Sequence, residues 1–150
     1  HTGNRNYFGQ ENVEAAKSHE IHAALTRIAN IRKNSIALQR GLQVYTGFGQ
    51  RSASFFRVYQ KDGVTQTALV LLNGDDEPSA MKFGQLPAQG TWRDAVTGHV
   101  VQVDDSFAGL VEELAPHSVR VYLSDAPITD SRFLQLLDEA QASTARRTTP

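Results

Sequence analysis

Apolar positions along this chain keep two different periods. Ile21, Leu25, Ile28 and Ile31, with Ala24, recur at spacings of four, three and three, which places one apolar stripe on one helix face. Ser18 is the expected N-cap of that helix, Arg27, Arg32 and Lys33 load its C-terminal half with positive charge, and Gly41 is a natural stop beyond Ile36 and Leu38. Before it, His1 to Lys17 reads as polar loop, rich in Gly and Asn, with Tyr7 and Phe8 expected to dock.

From Leu42 the period becomes that of strands. Ser54 to Lys61 and Thr65 to Asn73 flank Asp62-Gly63 and predict a β-hairpin. The second of these strands is apolar on both faces at Ala68 to Leu72, so it is expected at the centre of a sheet. Shorter strands follow at Ala80 to Phe83, Thr91 to Asp94, Val100 to Val103, Gly109 to Leu114 and Ser118 to Leu123, separated by Gly, Pro and Asp turns. Pro127 breaks the pattern, and Asp130 or Ser131 caps a short helix carrying Phe133, Leu134, Leu136 and Leu137 ahead of a polar tail. The reading is mainly β, an antiparallel sandwich or barrel preceded by one long amphipathic helix. Three segments result: 1–41 loop and helix, 42–124 all-β, 125–150 short helix and tail.

Composition narrows the function classes. With 15 basic and 16 acidic residues the formal net charge is −1, which argues against a nucleic-acid binder. No apolar run approaches membrane-span length, so no membrane role is expected. There is no Cys, hence no disulfide or thiolate chemistry; secreted, periplasmic and cytoplasmic settings all stay open. The chain starts at His1 without a Met, so a processed or cut N-terminus is expected.

Candidate chemistry is sparse. His19 and His22 are three apart, whereas a zincin helix spaces its two histidines four apart, so a surface pair is expected and no metal site. Asp75, Asp76 and Glu77 crowd one turn without the alternation of a calcium loop, which favours a solvated turn. Ser52 and Ser54 lack the setting of a nucleophile elbow, and Gly47-Phe48-Gly49 has no following helix to cradle phosphate. Asp94, Asp104, Asp105, Glu112 and Glu113 are carboxylates of the kind that cleave glycosidic bonds, but nothing marks any two as a pair. Trp92, the only Trp, reads either as a platform for a sugar ring or as a core anchor between sheets.

Several of these segments, in this order, resemble the end of an α-amylase-family enzyme. The helix ALTRIANIRKNSIALQRG resembles the last helix of its (β/α)8 barrel. FFRVYQKDGVTQTALVLLN, GQLPAQGTWRDAVTGHVVQV and ELAPHSVRVYLSD resemble successive strands of the all-β domain C that follows. The nearest look is to cyclomaltodextrinases and cyclomaltodextrin glucanotransferases. The resemblance implies a Greek-key β-sandwich after residue 41. It also implies a parent that cleaves or transfers α-1,4-glucosidic bonds with two carboxylates on barrel strands upstream of this chain. No catalytic residue carries over. One substrate contact does, from the loop before the last barrel helix: Gly3-Asn4-Arg5 matches its Asn-Arg part and makes Arg5 a substrate-binding candidate, although His1 and Thr2 stand where acidic residues precede it in the family.

The same resemblance implies partners. The stripe of Ile21, Leu25, Ile28 and Ile31 would face a separate catalytic barrel or another copy of the chain, and an α-glucan is a candidate ligand. It implies no cofactor for this chain itself, while calcium can belong to the parent enzyme.

Overall fold

Helix formation begins earlier than the loop-like composition of the N-terminal segment suggests, and it is interrupted. In the computed structural model of the chain, which describes residues 9–104 and 106–148, α1 spans Gly9–Ser18, α2 Glu20–Lys33 and α3 Ile36–Arg40. The single helix expected from Ser18 to Gln39 is thus divided, and Gly9 to Lys17 is helix rather than loop. Glu11, Glu14, Ala15, Ala16 and Lys17 are good helix formers, and Lys17 Nζ donates to Glu14 Oε1 one turn back at 2.8 Å.

Both interruptions are capped. Ser18 does not cap α2; its hydroxyl turns back to the Ala15 carbonyl. His19 takes the cap with an extended backbone (φ −69°, ψ 141°), and its Nδ1 accepts the Ile21 N–H at 3.2 Å. Ser35 (φ −130°, ψ 116°) caps α3 by accepting the Leu38 N–H. The chain divides into two units, the first ending at Asn34 and the second starting at Ser35. In the first, Ile21, Leu25 and Ile28 of α2 are exposed, and no residue of α2 is fully buried.

Among its described residues the second unit holds eight strands: β1 Leu42–Phe48, β2 Ser52–Lys61, β3 Val64–Asn73, β4 Ser79–Phe83, β5 Gly90–Asp94, β6 Val100–Val103, β7 Leu110–Leu114 and β8 Ser118–Ser124. All pairings are antiparallel. One sheet has six strands in the order β1-β2-β3-β8-β5-β6, and β4 pairs with β7 in a two-stranded sheet. The hairpin forms as expected: Lys61 pairs with Val64 across Asp62-Gly63, whose φ angles of 54° and 77° give the turn that matches strand twist. β3 lies centrally between β2 and β8.

Period-two alternation sets which side chains turn inward. Ser54, Phe56 and Val58 of β2 are buried while Phe55 and Arg57 are half-buried; Leu110, Glu112 and Leu114 of β7 are buried while Val111 and Glu113 are exposed. Phe56, Val58, Leu69, Leu71, Trp92 and Tyr122 from the large sheet meet Leu110 and Leu114 from the small one in a single core. α4, Ser131–Thr148, closes that core with Phe133 and Leu137. Asp130 caps it by accepting the Phe133 N–H at 2.7 Å. The helix is longer than expected and takes in the tail to Thr148.

α3 is fixed to the large sheet by Gln66. Its Oε1 accepts from Ser35 Oγ (2.7 Å) and the Ala37 N–H (3.1 Å), and its Nε2 donates to Asp125 Oδ1 (2.9 Å). Gly41, where α3 ends, has ordinary φ; it must be Gly because a Cβ there would sit 2.5 Å from the Ala37 carbonyl oxygen and 2.9 Å from the Val58 backbone.

Candidate functional site

The inward face carries polar groups as well as apolar ones. Arg120 and Tyr122 of β8, Glu112 of β7 and Asp94 at the end of β5 form one network, in which Arg120 is half-buried and the other three are buried. Tyr122 donates its hydroxyl to Glu112 Oε1, Arg120 Nη1 donates to Glu112 Oε2, and Arg120 Nε lies 3.7 Å from Asp94 Oδ2. Asp94 also organises the β5–β6 turn: Oδ1 accepts the Val96 N–H at 2.8 Å, and Oδ2 accepts the Thr97 hydroxyl at 2.9 Å. Burial, then the bond to Glu112, pushes the Tyr122 hydroxyl up to about 12. Burial works against the Arg120 charge, but Tyr122, Glu112 and Asp94 together raise its pKa above the ordinary value.

This network accounts for two of the five carboxylates singled out from sequence. Asp94 and Glu112 do come together, through Arg120, yet both spend their oxygens on structural partners. Glu113 points outward from β7. Asp104 is exposed, and the Ser106 side chain and N–H hold its carboxyl below the usual range. Asp105 lies outside the described residues, as do His1, Thr2, Arg5, Tyr7 and Phe8.

Trp92 is a core residue, which corrects its reading as a sugar platform. The ring is 1% exposed, packs edge-on against Phe56 and donates its N–H to the Ala88 carbonyl at 2.9 Å. A stacking platform must present a ring face to solvent, and the inward register of β5 precludes it here.

The Asp75–Asp76 turn is satisfied from within. Arg51 Nη1 lies 3.4 Å from Asp76 and 3.7 Å from Asp75, His117 Nε2 is 2.9 Å from Asp76, and Asn73 Oδ1 accepts the Asp75 N–H. Among the described residues no group of three or more His, Cys, Asp or Glu is arranged to hold a metal ion. No helix among them is long and apolar enough to cross a membrane.

Two adjoining depressions are lined mostly by residues without a functional reading from the sequence; Asp104, one of the five carboxylates, is the exception. The larger, of about 430 Å³, has Leu86, Val103 and Phe107 as its apolar lining. Gln85, Gln89, Asp104 and Asp130 supply its polar groups. The smaller, of about 310 Å³, shares Gln85, Leu86 and Asp130 with it and adds Lys82, Phe83 and Arg132. Neither Asp94 nor Glu112 reaches either one. The larger lining comes from the end of β6 and the β4–β5, β6–β7 and β8–α4 connections, and the smaller adds residues of β1, β2, β4 and α4; these lie far apart in sequence and carry no shared motif.

The apolar surface outside the core is also uneven. Tyr45 and Phe48 on edge strand β1 are 56% and 71% exposed, their rings 4.7 Å apart, with Phe55 of β2 edge-on to Tyr45.

Comparison with known proteins finds likeness in structure only. No protein-family model matches the sequence, and no curated protein matches it. Among solved structures, an α-amylase from Geobacillus thermoleovorans, solved with acarbose, matches 69% of this chain and 22% of its own at 24% identity and a TM-score of 0.58. An Anoxybacillus α-amylase matches 70% and 22% at 22% identity and a TM-score of 0.53. AmyP, solved with maltose, matches 71% and 20% at 15% identity and a TM-score of 0.58. The matched part is about a fifth of the length of each of these enzymes. The second unit is a small antiparallel β domain, and most of this chain shares its fold with part of α-amylase-type glycoside hydrolases.

Proposed function

We propose that this chain is the C-terminal portion of a glycoside hydrolase or glucanotransferase acting on α-1,4-glucans, with a structural and not a catalytic part in it. The β unit is its Greek-key domain C, and the helices before it end the (β/α)8 barrel. Within the family, the order of its motifs favours the cyclodextrin-processing branch.

The observation that carries this reading is the fold shared with a fifth of an α-amylase chain. Exposed apolar surface supports it. Ile21 and Leu25 are each 60% exposed and Ile28 is 48% exposed, on a stripe that also takes in Ile31, and a monomer rarely leaves such a row in water. A catalytic barrel from the remainder of the parent would cover it. The carboxylate pair that does the chemistry sits on that barrel, while Asp94 and Glu112 here are held in an ion-pair network.

The test is to express the reading frame extended upstream of His1 and assay both forms on maltohexaose and α-cyclodextrin. The extended protein is expected to release reducing ends and the 150-residue chain none. Reducing ends released by the 150-residue chain would sink the structural reading. An upstream frame without barrel strands would sink the parentage.

A further inference from the structure

We infer that the paired depressions beside the α4 N-terminus form a binding site for a neutral saccharide of two or three sugar units. A sugar ring is amphipathic. Its C–H faces seek a flat apolar surface, and its rim of hydroxyls seeks acceptors and donors that can each meet two of them. The larger depression supplies both. Phe107, half-buried, and Leu86 and Val103, buried, form its apolar lining, while two amides and two carboxylates, Gln85, Gln89, Asp104 and Asp130, supply the polar groups. At about 430 Å³ it lies within the range of small-ligand sites.

The lining also disfavours other ligand classes. An anion would meet Asp104 and Asp130 in the larger depression, where no Lys or Arg stands among the described residues; Lys82 and Arg132 line only the smaller one. A lipid would need a mostly apolar wall. A metal ion would need a ligand cluster, and none is present among the described residues. The smaller depression adjoins across Gln85, Leu86 and Asp130 and adds Phe83 with Lys82 and Arg132. An extended ligand can therefore continue from one to the other, with Gln85 and Asp130 between successive rings.

Its framework is fixed independently of any ligand. Asp130 is held by capping α4, the Thr129 and Asp130 N–H groups both donate to the Pro87 carbonyl, and Ser106 holds Asp104. Leu86, Val103 and Phe107 belong to or pack on the core between the sheets. The choice of an α-glucan as first probe rests on the function proposed above; the assignment of a neutral saccharide does not.

The experiment is saturation-transfer NMR on the 150-residue chain with maltotriose and, separately, cellotriose. Gln85→Ala, Asp104→Asn and Phe107→Ala are compared after thermal melting confirms that each is folded. Saturable transfer to sugar ring protons is expected, with a dissociation constant on the order of 1 mM. Binding should weaken roughly tenfold in Phe107→Ala and about threefold in the other two. Gln85 and Asp104 are exposed, so their variants keep the test alive if Phe107→Ala fails to fold. Binding of cellotriose in preference to maltotriose, weakened by the substitutions, would uphold the site while withdrawing the α-glucan reading. Absence of transfer from both sugars, or transfer that all folded variants retain in full, overturns the site.

Discussion

Tyr122 joins packing to titration. Its hydroxyl donates to a buried carboxylate, so Tyr122→Phe leaves Glu112 Oε1 without its donor and should cost about 1–3 kcal/mol at neutral pH. The phenol is neutral in the folded state up to about 12, against an ordinary value of 10.0. Between those limits the unfolded chain has lost a proton that the folded chain retains, so this contribution falls as pH rises. Urea titrations at pH 8 and pH 11 should therefore show the gap between the wild type and Tyr122→Phe narrowing at the higher pH. A gap that widens would contradict the assignment. Glu112→Ala leaves the Tyr122 hydroxyl without its acceptor and the half-buried Arg120 with Asp94 alone, and should cost about 2–4 kcal/mol. Trp92 gives an optical check on its own burial. Its emission should resist acrylamide quenching and stay fixed on addition of maltohexaose, while Trp92→Phe should lower stability by about 1–3 kcal/mol through lost volume and the lost bond to Ala88.

Elements were legible in the sequence where local chemistry decides them. Asp62-Gly63 requires positive φ at both positions, and the paired runs on either side leave one register for the hairpin. Gly63→Ala meets no neighbour within 4 Å, so its cost is conformational, about 1 kcal/mol. Gly41→Ala, at ordinary φ, collides with backbone on two sides and should cost at least 2 kcal/mol. Differential scanning calorimetry of the two variants separates these causes, with the larger drop expected for Gly41→Ala.

The helices were less legible. Apolar content resumes at Ile36, five residues after Ile31, so the gap at Asn34 and Ser35 is short; Asn34 caps the end of α2, and the Ser35 cap with its bond to Gln66, distant in sequence, starts α3. The buried network was readable in half. Leu110 and Leu114 fix the inward face of β7, and Glu112 shares it; the partner strand that satisfies that charge is set by topology. The saccharide depressions had no local signal, because elements and connections scattered along the chain supply their lining.

For the molecule as a whole, the uncovered apolar residues set its behaviour in solution. Tyr45→Ser with Phe48→Ser should leave stability within about 1 kcal/mol, since both rings are largely in water, and should reduce self-association. Light scattering across a concentration series measures this; unchanged association would show that β1 is not the contacting edge. Strand order carries a further consequence for synthesis. β3 carries the longest uninterrupted apolar run, Ala68 to Leu72, and its partners arrive at different times. β2 precedes it and closes on it at once, but β8 is made only after the stretch from Gly74 to His117. At about 5–20 residues per second on the ribosome, the open edge of β3 waits for seconds before its second neighbour emerges. During that interval the nascent hairpin is a half-built sheet with an adhesive margin, and the yield of folded protein depends on how long translation leaves it bare.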